Sequence, residues 1–244
     1  MPDRRRHRGP HPEDARLFTA EQLPALREAV SDLSWLLGRG YADKSALKLV
    51  GDRFGLRQRQ RLAVMRSACS DAARTDRRER QLSAEQMRGQ PLQIDGYNVL
   101  TTIEAALAGG VLLLGRDGCL RDLASMHGSY RKVHETRHAI DVIGRGMDDL
   151  GIRHAIWYLD APVSNSGRLK QVVAEIAEAA GWDWQVAVVP SPDHVLIETD
   201  QPIATADSVV LDDGGRWFNL ARQIVQGRVD QPWLVDLRDS AGPD

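Results

Sequence analysis

Short apolar runs alternate with amphipathic stretches beyond about residue 91, and this alternation restricts the fold more than any other feature. Five runs have the length and composition of buried strands, at 92–94, 111–114, 155–159, 185–189 and 233–237. Apolar residues recur at helical spacing in four stretches between them, 120–131, 135–150, 169–180 and 217–226. Strands that alternate with helices form mostly parallel sheets, so we predict an α/β fold for this half of the chain.

The first ninety residues have a purely helical pattern. Apolar residues at spacings of three and four predict one helix over 19–37, and two shorter helices, 43–54 and 56–71, flank a break at Gly55. Residues 74–90 are charged and poor in large apolar side chains. We therefore predict a small helical domain at 1–90 and an α/β domain at 91–244.

The two halves differ in charge although the whole chain has a net charge of only −2. Residues 1–90 contain 19 Lys and Arg against 12 Asp and Glu, whereas residues 91–244 contain 13 against 22. A basic module joined to an acidic one is expected when the first binds a polyanion and the second binds cations. Two differently solvated surfaces explain the same numbers, so charge alone does not decide.

Composition indicates a soluble, cytoplasmic protein without membrane contact. No apolar run approaches the roughly 18 residues that a membrane span needs, and the basic N-terminus lacks the apolar stretch of a secretory signal. The only cysteines, Cys69 and Cys119, form neither a disulfide framework nor a CxxC zinc motif. A homo-oligomer is left open.

Four aspartates stand at or near the ends of predicted strands. Asp95 follows the first strand, Asp160 ends the third, Asp207 follows an apolar segment, and Asp236 lies in the last strand. Parallel strands end at one edge of a sheet, where these carboxylates would meet. Oxygen ligands suit Mg²⁺ or Mn²⁺, and phosphodiester hydrolysis is the chemistry that such a site serves. Any one aspartate alone is better explained as a turn or cap residue.

Several of these segments resemble motifs of the PIN-like nucleases of the NYN branch. Residues 94–99, IDGYNV, are similar to the opening strand motif of that family. Residues 121–130 resemble its Arg-led helix, 158–161 its second acidic strand end, and 205–208 its third acidic element. The motifs follow the family's order and span about residues 92–237.

The resemblance implies a Rossmann-like, PIN-like fold and a metal-dependent ribonuclease that uses Mg²⁺ or Mn²⁺. By the same likeness Asp95, Asp160 and Asp207 would bind the metal, and Asn98 would hold Asp95 or the scissile phosphate. The N-terminal block resembles an uncharacterised helical domain found fused to such nuclease-like domains. That second likeness implies no activity.

The fourth metal ligand is less well defined. Asp236 departs from the family's usual Ser/Thr-x-Asp ending, so Asp239 or Asp212 is an alternative. The long insertion between the Asp95 and Asp160 strands adds Asp117 as a further candidate.

Basic residues supply candidates for RNA contacts. Arg116 or Arg121 would steady charge on the phosphate. Arg168 and Lys170 stand at the start of a predicted helix, where exposed amides receive an RNA phosphate, although a simple helix cap explains residues 164–168 equally well.

The helical pair around Gly55 suggests a helix-turn-helix. Its second helix carries four arginines that would face phosphates or bases, or form a solvated face: Arg57, Arg59, Arg61 and Arg66.

Two other functions compete with the nuclease. The first is a non-catalytic RNA-binding protein on the same fold. The second is a zinc metalloprotease, because residues 134–138 match HExxH. The apolar face of the same predicted helix turns His134 and His138 toward solvent, which disfavours a buried zinc site.

Overall fold

The computed structural model describes residues 8–123 and 133–239, which form twelve helices and seven strands. The helices are α1 Asp14–Leu17, α2 Leu23–Leu37, α3 Asp43–Arg53, α4 Gln58–Ser67, α5 Asp71–Arg80, α6 Ala84–Met87, α7 Gly96–Leu107, α8 Thr136–Asp149, α9 Ser166–Ala180, α10 Pro192–Glu198, α11 Ser208–Asp213 and α12 Leu220–Arg228. The strands are β1 Leu92–Asp95, β2 Leu112–Leu114, β3 Leu120–Asp122, β4 His154–Asp160, β5 Asp183–Val189, β6 Ile203–Ala204 and β7 Leu234–Asp236.

The larger sheet is parallel, in the order β5-β4-β1-β6. In its register Asp95 lies opposite Tyr158, Asp160 opposite Val189, and Ile94 opposite Ala204. The carboxyl ends of all four strands therefore share one edge. The α/β class and the parallel sheet predicted from the sequence are confirmed.

Helices cover both faces of this sheet. On one face α7, α8, α9 and α12 pack on β1 and β4 in the largest hydrophobic cluster, which contains Trp157 and Phe218. On the other face α10 and α11 form a smaller cluster with Ile203 and Trp217. Strands β1 and β6 between these layers are short, and every residue in them is buried, as is usual for parallel strands covered on both faces.

A second, three-stranded sheet has the order β3-β2-β7, with β2 antiparallel to β3 and parallel to β7. Its apolar side chains do not form a separate core. Val111, Leu113, Leu123, Val235 and Leu237 are buried in one cluster with the helices of the N-terminal region, α2 to α4. The helical region and the second half of the chain are thus joined by a common hydrophobic core.

The helix expected over 120–131 does not begin as predicted. Residues 120–122 form β3, which turns back on β2 through a tight turn in which Gly118 has a φ of 77°. A positive φ is readily adopted by glycine, so this residue permits the hairpin. Residues 124–131, the remainder of that expected helix, lie outside the described residues.

None of the described helices combines the length and the apolar character needed to cross a lipid bilayer.

Candidate functional site

The candidate site begins where β1 passes directly into α7. Asp95 is the last residue of β1 and also the N-cap of α7, and its Oδ1 accepts a hydrogen bond from the Asn98 amide at 3.3 Å. Gly96 permits this sharp transition, because a Cβ atom there would stand 2.8 Å from the Tyr158 carbonyl oxygen. The sequence Asp-Gly-x-Asn therefore brings a carboxylate to the sheet edge at the start of a helix.

The segment that follows β6 holds the other side of Asp95. The Thr205 hydroxyl donates to Oδ2 of Asp95 at 2.7 Å and accepts from the Asp207 amide at 3.0 Å. The side chain of Asn98 accepts from the Ala206 amide at 2.8 Å. Residues 205–207, which we call the acidic segment, are thereby tied to the beginning of α7.

Asp207 caps a second short helix at this edge. One of its oxygens accepts from the amides of Val209 and Val210, at 2.8 and 3.3 Å, at the start of α11. The carboxylate is thus fixed by the N-terminal amides of α11 while it remains half-buried. Two of the three expected metal ligands, Asp95 and Asp207, are joined through one threonine hydroxyl.

Asp160 and Asp193 complete an acidic cluster with Asp95 and Asp207. Asp160 ends β4, and Asp193 lies in the first turn of α10, four residues after β5. Partial burial raises the pKa of Asp160. Partial burial also raises the pKa of Asp193, and the negative charges of Asp207 and Asp160 raise it further. The structure therefore places the three expected ligands at one edge of the sheet and adds Asp193 there, which the sequence did not indicate.

Asp95 is the buried member of this cluster, with 7% of its surface exposed. Burial raises the pKa of its carboxyl to about 7; the Thr205 hydrogen bond opposes the shift, while the charges of Asp207 and Asp193 add to it. A carboxyl with such a pKa is half protonated near neutral pH. Perturbed pKa values of this kind are frequent at functional sites.

Among the described residues, no lysine or arginine forms an ion pair with any of the four carboxylates. Nor, within residues 8–123 and 133–239, is any group of three or more His, Cys, Asp or Glu side chains arranged so that it could hold a metal ion. The cluster is thus an accumulation of negative charge that forms no ion pair with a cation in the described part of the chain.

The other aspartates considered as ligands lie elsewhere. Asp236 is on the three-stranded sheet, where Arg238 binds its carboxylate at 2.9 Å. The remaining three also pair with arginines: Asp117 with Arg77 and Arg121, Asp212 with Arg77, and Asp239 with Arg74 and Arg116. An arginine beside a carboxylate neutralises the charge that a cation requires. The structure therefore does not bring these four residues into the acidic cluster.

Arg116 and Arg121 are not placed to meet a phosphate. The Arg116 guanidinium is occupied by Asp239, Asp71 and the Cys69 carbonyl. The Arg121 side chain is only 9% exposed and donates to Asp117 and to the Ala206 carbonyl. The expectation of RNA contacts by these two guanidinium groups is corrected, because internal acceptors already saturate them.

Arg168 and Lys170 are exposed in the first turns of α9. The start of α9 lies beside Asp160, because the Ser166 hydroxyl hydrogen-bonds the Asp160 carbonyl. Tyr97 of α7 reaches the same hydroxyl at 2.7 Å. These two cations are therefore the basic side chains from the sequence analysis that remain near the cluster and open to solvent.

Three of the four arginines expected on the helix-turn-helix make internal contacts. Arg59 pairs with the buried Asp14, Arg61 with Asp52, and Arg66 binds the Asp122 carbonyl. Only Arg57 is exposed among the four. The arginine face that was expected to meet nucleic acid or solvent thus mainly contacts other segments of the same chain.

The HExxH match is divided by a helix boundary. His134 precedes α8, which begins at Thr136, whereas His138 lies inside that helix. Both histidines are exposed, as their position relative to the apolar residues predicted.

Comparison with known proteins gives two adjacent family matches. Residues 84–223, more than half of the chain, match the family model described as a domain of unknown function, DUF5616. The chain belongs to the DUF5616 family. Residues 25–80 match the model described as a protein of unknown function, DUF434. An uncharacterized protein of Methanocaldococcus jannaschii is 29% identical over 187 residues, which cover 77% of this chain and 89% of that protein. No solved structure matches significantly.

The DUF5616 match contains all four members of the acidic cluster, whereas Asp236 lies beyond it. Asp193 was missed because Ser191-Pro192-Asp193 has the composition of an ordinary turn. The available signal was its position after a predicted strand, the same criterion that identified Asp95 and Asp160. Applied to the segment after β5, that criterion finds Asp193.

Proposed function

We propose that the DUF5616 region adopts a PIN-like fold of the NYN branch and hydrolyses phosphodiester bonds of RNA with Mg²⁺ or Mn²⁺. One observation carries the proposal: four carboxylates, one of them buried and none in an ion pair with a cation of residues 8–123 or 133–239, lie at the carboxyl ends of parallel strands. Crevices at this edge are where open α/β sheets bind their ligands. The ordered motifs 94–99, 158–161 and 205–208 support the same assignment.

The donor set fits a hard divalent cation. All four side chains offer carboxylate oxygens, and the negative charge that they accumulate is what such a cation neutralises. Mg²⁺ keeps several waters and is commonly bound through one or two carboxylates together with substrate phosphates, so a complete protein cage is not required. When bound, the cation supplies Lewis acidity and lowers the pKa of water near the phosphate.

The protein's own residues have separate tasks in this proposal. Asp95 and Asp207 would hold the cation, and Thr205 fixes the orientation of Asp95 through its hydroxyl hydrogen bond. Asp160, with a raised pKa and a position beside solvent, accepts the proton released by the attacking water. Arg168 and Lys170 bind RNA phosphates at the rim of the cluster, where each side chain is exposed.

The proposal is tested by incubating the full-length chain with a panel of single-stranded and structured RNAs in Mn²⁺. We expect Asp160→Asn to lower the cleavage rate about 100-fold or more, because the neutral amide accepts no proton. The matched control is Asp183→Asn at the opposite end of the same sheet, where the carboxylate is 75% exposed and contacts His154. Cleavage by the control at the parent rate completes the expected result.

Equal rates for Asp160→Asn and the parent would remove Asp160 from the mechanism. RNA binding without cleavage by the parent, with either metal, would instead favour a non-catalytic RNA-binding protein on the same fold.

A further inference from the structure

A buried ionic network connects the N-terminal helices to the candidate site. The carboxylate of Asp117 receives both terminal nitrogens of Arg121, at 2.9 and 2.7 Å, and also pairs with Arg77 of α5. Arg77 further binds Asp212 at 2.7 Å. The side chains of Arg77, Asp117 and Arg121 are 2%, 1% and 9% exposed, so these three are almost completely removed from water, whereas Asp212 lies at the surface.

The network ends on the acidic segment. The remaining nitrogen of Arg121, Nε, donates to the Ala206 carbonyl at 2.7 Å. The backbone amide of Ala206 donates to the side chain of Asn98. Its neighbour Thr205 hydrogen-bonds Asp95, and its other neighbour, Asp207, belongs to the acidic cluster. Both backbone polar groups of Ala206 are thus fixed, one by α7 and one by Arg121.

Arg77 contacts the residue that directly follows the acidic segment. Its guanidinium also contacts the Ser208 carbonyl at 3.3 Å, in the first turn of the helix that Asp207 caps. Arg80, one turn later on α5, donates to the carbonyls of Gly214 and Leu211 at the end of that helix. Helix α5 therefore holds α11 at both ends.

Stability alone is a weak explanation for these buried charges. Desolvating an ion pair is costly, and well-packed apolar residues often replace a buried pair without loss of stability. A planar guanidinium offers something that apolar residues do not, because it binds a carboxylate with two nitrogens and still directs a third donor to a fixed point. In Arg121 that point is the Ala206 carbonyl.

We infer that Arg121 is a positioning residue for the acidic cluster: held by Asp117, whose carboxylate Arg77 also binds, it fixes the Ala206 carbonyl and so the placement of Thr205 and Asp207. The role in cation binding rests on the proposed function, whereas the fixing of the segment does not. Because Arg77 belongs to the DUF434 match, the helical region contributes to the site as a structural component.

The test compares Arg121→Lys with Arg116→Lys in the full-length protein. Lysine keeps the charge beside Asp117 but has no planar fork, so it cannot bind the carboxylate at two points and Ala206 as well. Arg116 is the control because it is equally buried, at 10% exposure, and contacts Asp71, Asp239 and the Cys69 carbonyl rather than the acidic segment.

The first readout is amide hydrogen exchange without metal. In Arg121→Lys we expect the amides of Ala206 and Asp207 to exchange about tenfold faster or more, the effect of losing one hydrogen bond to a charged group. In Arg116→Lys these two amides should exchange at the parent rate. Arg77→Lys is a second variant for the same readout, so that misfolding of Arg121→Lys does not end the test.

The second readout is the dissociation constant for Mn²⁺, measured from the signal of free Mn²⁺ in electron paramagnetic resonance. We expect Arg121→Lys to raise it about tenfold, as for loss of an outer-shell contact, and Arg116→Lys to leave it unchanged.

Unchanged exchange at Ala206 and Asp207 in both Arg121→Lys and Arg77→Lys would overturn the inference. Faster exchange with unchanged Mn²⁺ affinity would also overturn it, because the segment's position would then not matter to the cluster. Faster exchange in a protein whose parent binds no Mn²⁺ would preserve the fixing role and reject the proposed function.

Discussion

The Asp95→Asn protein is expected to be more stable than the parent at pH 8 and to have lost metal-dependent cleavage. The carboxyl of Asp95 has a pKa of about 7 in the folded chain against 3.8 for an unperturbed aspartate. Between these values the folded state binds more protons than the unfolded state, so the free energy of unfolding falls as the pH rises. Over three pH units the loss is about 4 kcal/mol.

Asparagine removes this loss because it has no charge at any pH. Part of the gain is offset, since the amide nitrogen of asparagine replaces an oxygen that accepts the Thr205 hydroxyl hydrogen bond, at a cost of about 1 kcal/mol. We therefore expect a net gain of about 3 kcal/mol at pH 8, and a loss of about 1 kcal/mol at pH 4, where the parent carboxyl is already neutral in the fold.

The activity should change in the opposite direction. The amide keeps the shape of the side chain but lacks the charge that a hard cation requires, and several kcal/mol of electrostatic stabilisation correspond to a rate loss of more than about 100-fold. The test measures the free energy of unfolding by urea denaturation at pH 4 and pH 8, and the rate of RNA cleavage, with Asp183→Asn as the control. An equal loss of stability in Asp95→Asn at pH 4 and pH 8 would show that burial does not raise the pKa of Asp95.

Removing the N-terminal region should have the second large effect, loss of the folded state. A fragment of residues 84–244, cut between the two family matches, leaves the apolar face of the three-stranded sheet without its helices. Exposing several aliphatic side chains costs on the order of 1.5–3 kcal/mol each. Loss of Arg77 also removes one of the two arginines that bind the buried carboxylate of Asp117.

Together these losses equal or exceed the roughly 5–15 kcal/mol by which a domain is stable. We expect the fragment to aggregate or to lack a cooperative thermal transition in circular dichroism. Adding residues 8–83 as a separate polypeptide should restore the transition if the common core is the cause. A soluble fragment that unfolds cooperatively near the temperature of the intact chain would show that the helical region is dispensable for folding.

Secondary structure was best predicted from the sequence where a single hydrophobic pattern dominates a segment. Strand β4 is an apolar run of ordinary length, and its parallel pairing followed from the helices on either side. Helix α7 was not predicted, because ten of its twelve residues are buried and a helix buried all round has no polar face to show a period. The hairpin of β2 and β3 was missed because residues 120–131 also fit a helical spacing.

The candidate site was partly predictable for a similar reason. Asp95 and Asp160 follow apolar strands, so local sequence reveals their place at the sheet edge. The roles of the arginines were not predictable, because Arg77 and Asp117 are 40 residues apart, and Arg121 and Ala206 are 85 apart. No local pattern distinguishes an arginine that binds RNA from one that binds a distant carbonyl.

Direct measurement of Mn²⁺ binding to the intact chain tests the central claim, that the acidic cluster is a cation site. Electron paramagnetic resonance of free Mn²⁺ gives the dissociation constant across pH 6 to 8. Because the Asp95 carboxyl must lose its proton before it binds a cation, we predict saturable binding that strengthens up to tenfold per pH unit below about pH 7 and then levels off. Asp95→Asn should abolish it. The account is contradicted if the parent shows no saturable binding at pH 8, or if Asp95→Asn binds Mn²⁺ as tightly as the parent.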